Sequence, residues 1–296
     1  MLSILIPTYN YDCRDLVNAL HRQAEQAGIA YEIIVADDAS PTYIYKEKNR
    51  EINALAHCRF MEMAENLGRA RIRNRLADEA QHSWLLFMDC DAEVISPTFI
   101  AEYLRHTDAE VICGGLCHAD TLPSPTVSLR YAYEKQADKR RAAKYRTQRP
   151  YEQFTPFNFC IRRDIFQAIR FDESVCGYGH EDTLFGIELM HRQAHIRHID
   201  NPLRHIGLEA NDIFLEKSQT ALHNLATMET SMQGHSALLS SYRILRRLRL
   251  ESWAASCFKR HEQRLTQQLC GPSPSLIGFK LYKLGYYCWL KKNEEK

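Results

Sequence analysis

Apolar positions along the chain come in two alternating rhythms. "LSILIPTYN", Leu2 to Asn10, is a continuous apolar run stopped by Pro7 and a polar turn. Residues 12–27 change to helical spacing through Leu16, Val17 and Leu20. "YEIIVADDAS" predicts a second buried strand ending at Asp37 and Asp38, followed by a helix over 42–56. "CRFMEMAEN" predicts a third strand and "GRARIRNRLADEA" a helix whose first turns are crowded with arginines. "SWLLFMDCD" is the fourth strand. "SPTFIAEYLRHT" is a helix expected to use Ser96 as N-cap with Pro97 at its first position, and "AEVICGGLC" is a fifth strand. Strand and helix alternating with short connections predicts an α/β fold, a doubly wound, mostly parallel sheet with helices on both faces.

Ligands in such sheets bind beyond the carboxyl ends of the strands. Here those ends carry Pro7-Thr8-Tyr9, Asp37-Asp38, Asn66-Leu67-Gly68 and Asp89-Cys90-Asp91. Residues 118–153 are polar and basic and read as a mobile loop plus a helix. A strand, a helix, a Gly-rich loop and a further helix follow, with Glu181 and Asp182 at the start of that last helix. "HIRHIDNPLRHIG" reads as a strand and a turn. From about 211 the chain reads as helices to its end, broken at Gly271-Pro272 and Pro274.

Composition narrows the setting. The 296 residues suffice for one large domain or two sharing a core. A net charge of +1 gives no field that would point to nucleic acid as partner. Ten scattered cysteines form no C-x-x-C pair, and the start of the chain has no signal-peptide pattern. The expectation is reduced thiols in a cytoplasmic protein. No apolar run approaches the roughly 20 residues that span a bilayer.

The chemistry gathers at the acids. Asp89 and Asp91 are i and i+2, so at the end of a strand both carboxylates can face one crevice. One could accept from a ribose hydroxyl while the other ligates Mg²⁺ or Mn²⁺, whose shell substrate phosphates complete. A solvated turn is the plainer alternative. Asp38 could accept the imide N–H of uracil, or cap a helix. Arg69, Arg71, Arg73 and Asn74 stand at a helix start that favours an anion such as a diphosphate, or they form a solvated basic face. Glu181-Asp182 offers a general base, or the acidic first turn common to many helices. His205 could be a further metal ligand beside Asp91.

Seven ordered blocks resemble a family-2 glycosyltransferase of the GT-A fold. They are "SILIPTYN", "YEIIVADDAS", "NLGRARIRN", "LLFMDCDAEV", "TPFNFCIRRDIF", "FDESVCGYGHEDTLFG" and "HIDNPLRHIG", spanning residue 3 to about 207. The resemblance implies an inverting enzyme that uses a nucleotide-sugar donor, expected to be a UDP-sugar, and Mn²⁺ or Mg²⁺. It implies that Pro7, Thr8 and Tyr9 line the nucleotide pocket and that Asp38 reads the base. Asn66, Arg73 and Asn74 would hold the nucleotide sugar, with Asp89 near the ribose and Asp91 and His205 on the metal. Asp182 would be the base, supported by Glu181. The catalytic domain would cover 1–210, with a nucleotide-binding half at 1–100 and an acceptor-binding half at 101–210, and 211–296 would form a C-terminal helical extension. Many relatives have Trp-Gly-Gly before the acid pair, where this chain has Tyr178-Gly179-His180, and Gly where it has Ala39.

The implied acceptor is a glycan or glycolipid hydroxyl. Residues 242–265 are basic and amphipathic, and 276–292 mix aromatics, leucine and lysine. Both suit peripheral contact with the cytoplasmic face of a membrane, and both equally suit helices packed on the catalytic domain. A sugar nucleotidyltransferase would also use carboxylates and Mg²⁺, but "PTYNYDC" has neither its Gly-rich loop nor its lysine. A catalytically inactive module binding nucleotide sugars would lack the base or the D-x-D, and both are present.

Overall fold

A computed structural model describes residues 1–175 and 177–294. Cys176, inside the Gly-rich block, and residues 295 and 296, at the end of the helical extension, lie outside the described residues. In chain order the elements are β1 (Leu2–Thr8), α1 (Arg14–Ala27), β2 (Tyr31–Asp37), α2 (Tyr43–Arg50), β3 (Cys58–Glu62) and α3 (Arg69–Glu79). Next come β4 (Trp84–Met88), β5 (Ala92–Val94), α4 (Phe99–Leu104), β6 (Val111–Cys113), β7 (Leu116–Cys117), α5 (Ser128–Lys135) and α6 (Ala143–Arg146). Then follow β8 (Asn158–Arg162), α7 (Arg163–Ile169), α8 (Glu181–His191), β9 (Ile196–His198) and β10 (Leu203–His205). Helices α9 (Asn211–Thr227), α10 (Ala237–Arg247), α11 (Glu251–Cys270) and α12 (Leu276–Glu294) complete the chain. They fall into two compact units, residues 1–118, 138–174 and 181–207, and residues 119–137, 175–180 and 208–296.

The first unit is built on a seven-stranded sheet of order β3-β2-β1-β4-β8-β6-β9. Strand β8 pairs antiparallel with β4 and β6, and the other pairings are parallel. The alternation of side chains sorts the core into two layers. Ile4, Ile6, Ile33, Val35, Leu86 and Met88 pack with Leu16, Val17 and Leu20 of α1 on one face. Leu5, Ile34, Leu85 and Phe87 pack with Ile72 and Leu76 of α3 and Phe185 of α8 on the other. Burial on both faces is why these strands read as unbroken apolar runs.

A second, three-stranded sheet of order β5-β10-β7 differs from the expected single fifth strand. "AEVICGGLC" divides at its glycines. β6 joins the main sheet and β7 the small one. A Cβ on Gly114 would lie 2.3 Å from the Tyr103 hydroxyl, and Gly115 has a φ of 86° that suits glycine. The expected N-cap at Ser96 is also corrected. Helix α4 begins at Phe99 after Thr98, while the Ser96 carbonyl accepts from Gln23 Nε2 at 2.7 Å. Residues 118–153 hold two helices, α5 and α6, where one was expected.

At the end of β2, Ala39 takes a left-handed φ of 57°. A Cβ there is costly, and glycine only partly offsets that saving through its greater freedom when unfolded. Ala39→Gly is therefore expected to stabilise the protein by about 0.5–1 kcal/mol, read as a higher urea midpoint. An unchanged or lower midpoint would refute the strain.

The second unit is helical. Asn211, at the start of α9, accepts from the Leu129 N–H at 2.8 Å and donates to Ser128 Oγ at 3.1 Å, tying α5 to α9. Gly285 lets α12 approach α11 closely, since a Cβ would fall 2.7 Å from Phe258 Cβ. Residues 242–265 do not form one amphipathic helix. They run from α10 into α11 through a turn at Leu248–Leu250. Among the described residues no helix is long and apolar enough to cross a membrane.

Candidate active site

Strand β4 is apolar through Met88, and the chain then turns through Asp89, Cys90 and Asp91 into β5. The two carboxylates find different partners. Asp89 Oδ1 accepts from Arg73 Nη2 at 2.5 Å, and Arg69 Nη2 stands 3.5 Å from Asp89 Oδ2. Arg69 and Arg73 are i and i+4 on α3, so they share one face. Burial alone would raise the Asp89 pKa, but the two guanidiniums outweigh it and hold the carboxyl below its usual range. Arg69 Nε also donates to Glu181 Oε1 at 2.6 Å. Glu181 shows the same balance, with burial opposed and outweighed by Arg69 and Arg73. A charged chain thus links the end of β4 to the start of α8. Two arginines of the helix serve the site, while Arg71 faces Glu173 and Arg75 faces Glu79 at the surface.

Arg73→Met would leave the half-exposed Arg69 as the remaining ion-pair partner of Asp89 among the described residues. The expected loss is about 3 kcal/mol, the low end for breaking a buried pair. Because the native Asp89 pKa is depressed, its contribution is present above the unfolded value near 4 and lost as pH falls through the native value. The variant's stability should accordingly fall less between neutral pH and pH 3 than that of the parent. Urea titrations at several pH values would detect this, and parallel curves would rule it out.

Asp91 is met from the small sheet. The β5–β10 register pairs His205 with Ala92, and the Ile206 N–H donates to the Asp91 carbonyl at 3.0 Å. His205 Nε2 lies 3.1 Å from Asp91 Oδ2. Gly207 makes this possible, because a Cβ there would stand 2.3 Å from Asp91 Oδ2. His205 is buried, with Phe157 edge-on to its ring at 5.3 Å and His118 at 5.9 Å. His118 also hydrogen-bonds Asp138 at 2.8 Å. A carboxylate oxygen and an imidazole nitrogen at this separation could hold a divalent cation, and the mixed oxygen and nitrogen set fits Mn²⁺ better than Mg²⁺, which prefers oxygen ligands alone.

The nucleotide-side residues sit at neighbouring strand ends. Pro7 is half-buried in β1, Thr8 is buried and Tyr9 is 50% exposed. Asp38 holds the loop after β3, accepting from the Leu67 N–H at 2.6 Å and the Gly68 N–H at 3.0 Å. Asn66 Nδ2 donates to the Asp38 carbonyl at 2.9 Å. Burial raises the Asp38 pKa, and those two N–H groups only partly oppose it. Asn74 turns elsewhere, exchanging hydrogen bonds with the Phe171 backbone and donating to Glu173. Asp182, beside Glu181 in the first turn of α8, accepts from the Thr183 N–H at 2.7 Å. His180, where many relatives have glycine, has a φ of 75°.

Two participants escaped the sequence reading, Tyr11 and Gly207. Tyr11, two residues beyond Tyr9, has its phenol pushed up to about 12 by burial and by the Asp91 carboxylate. Nothing in "YNYD" separates the two tyrosines. Arg69, read from the sequence as one of several arginines at an anion-favouring helix start, shares the i, i+4 face of Arg73 and meets Asp89 and Glu181 there. Gly207 ends the "LRHIG" block, but its role needs the position of Asp91.

A search by sequence against curated proteins finds no match. Structural comparison finds the mannosyltransferase PcManGT from Pyrobaculum calidifontis, solved with GDP-Man and Mn²⁺. It has a TM-score of 0.56 and 12% identity, and the match covers 100% of this chain and 87% of that one. S. aureus TarS 1–349 matches with a TM-score of 0.51 and 14% identity, covering 100% and 92%. Against a longer S. aureus TarS structure the match covers 76% of this chain and only 39% of that one, at 19% identity and a TM-score of 0.49. The fold is thus of the GT-A type, with a helical C-terminal region. The family model "Glycosyl transferase family 2" matches residues 3–170, more than half of the chain. This protein is a glycosyltransferase and belongs to glycosyl transferase family 2.

Proposed function

We propose that the enzyme transfers a sugar from a nucleoside-diphosphate sugar, a UDP-sugar by preference, to a hydroxyl of a glycan or glycolipid, with inversion. The observation that carries the reading is the Asp91–His205 pair at 3.1 Å, at the end of the strand matched by the family. A bound Mn²⁺ or Mg²⁺, held by Asp91 and His205, would supply charge neutralisation to the diphosphate. PcManGT, with the same fold, was solved with Mn²⁺ and GDP-Man, which supports a divalent ion and a nucleotide sugar.

In this reading residues 1–100 are the nucleotide-binding half, 101–210 the acceptor-binding half and 211–296 the helical region. Pro7, Thr8 and Tyr9 line the nucleotide pocket. Asp38 accepts the uracil imide N–H with the lone pairs left over from the loop it holds. Asn66, Arg73 and Asn74 stand on the donor side. Arg73 acts through Asp89, which it orients toward the ribose, and Asn74 acts by bracing the 171–173 segment. Asp182 removes the proton of the acceptor hydroxyl as that oxygen bonds to the anomeric carbon. The bond to the diphosphate oxygen breaks on the opposite face, so the configuration inverts and the nucleoside diphosphate leaves. Glu181, held by Arg69, keeps the first turn of α8 in place. The C-terminal helices make peripheral contact with the cytoplasmic face of a membrane, where a lipid-borne acceptor would be found.

The test is nucleoside diphosphate release from a panel of UDP- and GDP-sugars, with and without Mn²⁺. Release from UDP-sugars that stops on adding EDTA and returns with Mn²⁺ is expected. Release only from GDP-sugars would overturn the base assignment, and EDTA-insensitive release would overturn the metal.

A further inference from the structure

Helix α10 ends at Arg247, and the chain turns into α11 through Leu248, Arg249 and Leu250. The Arg249 N–H donates to the Arg246 carbonyl at 3.1 Å, and the Leu250 N–H reaches back to the Leu245 carbonyl at 2.9 Å. This crossed pair is a Schellman cap, whose left-handed position is usually glycine. Here that position is Arg249, with a φ of 58°. Glycine would relieve the strain, yet the chain places a guanidinium there.

The surroundings are of one kind. Ile244, Leu248, Leu250 and Trp253 are 58%, 62%, 41% and 65% exposed. Arg246, Arg247 and Arg249 are exposed between them, and among the described residues none of the three enters an ion pair. Residues 230–250 contain no aspartate or glutamate. Glu251, the first residue of α11, has its Oε2 buried. The result is a turn whose exposed apolar side chains alternate along the chain with uncompensated cations, complementary to a surface that is anionic outside and apolar just beneath.

We propose that the α10–α11 turn docks on an anionic lipid bilayer. Trp253, Leu248, Leu250 and Ile244 enter the headgroup boundary, and Arg246, Arg247 and Arg249 pair with lipid phosphates. The proposal deepens the peripheral contact read above for the C-terminal helices and names the element that makes it. One short turn gives reversible, salt-sensitive attachment.

The full chain would be sedimented with phosphatidylcholine vesicles, with and without phosphatidylglycerol. Binding to the anionic vesicles alone, weakened by salt, is expected. Arg249→Gly should melt no lower than the parent yet bind about fivefold more weakly. Trp253→Ser should bind about tenfold more weakly, and Ile277→Ser, exposed on α12 outside the turn, should bind as the parent does. Absence of binding, equal binding to neutral vesicles, or an Arg249→Gly protein that binds normally would overturn the proposal. So would a dimer in analytical ultracentrifugation that Trp253→Ser dissolves, since a second copy would then cover the turn. Nucleoside diphosphate release without vesicles should be unchanged in both turn variants, so a failure here is separate from a failure of the transferase reading.

Discussion

Asp182→Asn is expected to lower kcat by about 10²- to 10⁴-fold, the range for removing a positioned general base, while the KM for donor stays within a few-fold. Asparagine preserves the shape of the first turn of α8 and can still accept from the Thr183 N–H, so the melting temperature should hold. The split between kcat and KM identifies the role, because a residue that merely held the donor would raise KM instead. Steady-state kinetics with saturating acceptor would measure it. A variant turning over at the parental rate would remove Asp182 as the base and leave the donor site untouched.

Asp91→Asn is expected to cost about 10³-fold in metal-dependent turnover, since Lewis-acid neutralisation of a leaving phosphate contributes several kcal/mol. The change removes a charge and almost no volume, so the contact that Gly207 makes with this side chain survives. His205 still has a hydrogen-bond acceptor opposite Nε2, which keeps the β5–β10 pairing. The Mn²⁺ concentration for half-maximal activity should rise steeply, with an unchanged melting curve. Calorimetric Mn²⁺ titration of parent and variant would decide the point, and equal affinity in the two would move the ion elsewhere.

The two roles differ in how far the sequence announced them. Asp91 stood out because five apolar residues, Trp84 to Met88, lead directly into Asp89-Cys90-Asp91, and a strand buried on both faces leaves so plain a trace. The main sheet was legible for the same reason through β1, β2 and β4. The small sheet was not. Its strands have three, three and two residues, too short for any period to show. The reversed direction of β8 was equally hidden, since "NFCIR" looks the same read in either pairing.

Within the site, residue type was easier to read than allegiance. Arg69 and Arg73 looked like anion ligands at a helix start and are engaged instead by Asp89 and Glu181. Asp38 was visible as a carboxylate at a strand end, but its grip on Leu67 and Gly68 depends on where the next loop falls. Asn74 shows the same limit, for a buried amide is spoken for by whichever backbone passes it. These are facts of tertiary neighbourhood, and no local pattern encodes them.

The three-residue ladder between β5 and β10 also decides which side chain faces Asp91 at the proposed ion site. It sets His205 opposite Ala92, and the residues on either side are Arg204 and Ile206. A shift of the ladder by one position would exchange faces and bring one of those neighbours toward Asp91. Arg204 would then put a permanent guanidinium where an exchangeable cation is proposed, and Ile206 would put none. A deletion or insertion between Asn201 and His205 would thus leave the seven-stranded sheet standing while converting the proposed metal seat into a fixed salt bridge or an empty apolar corner.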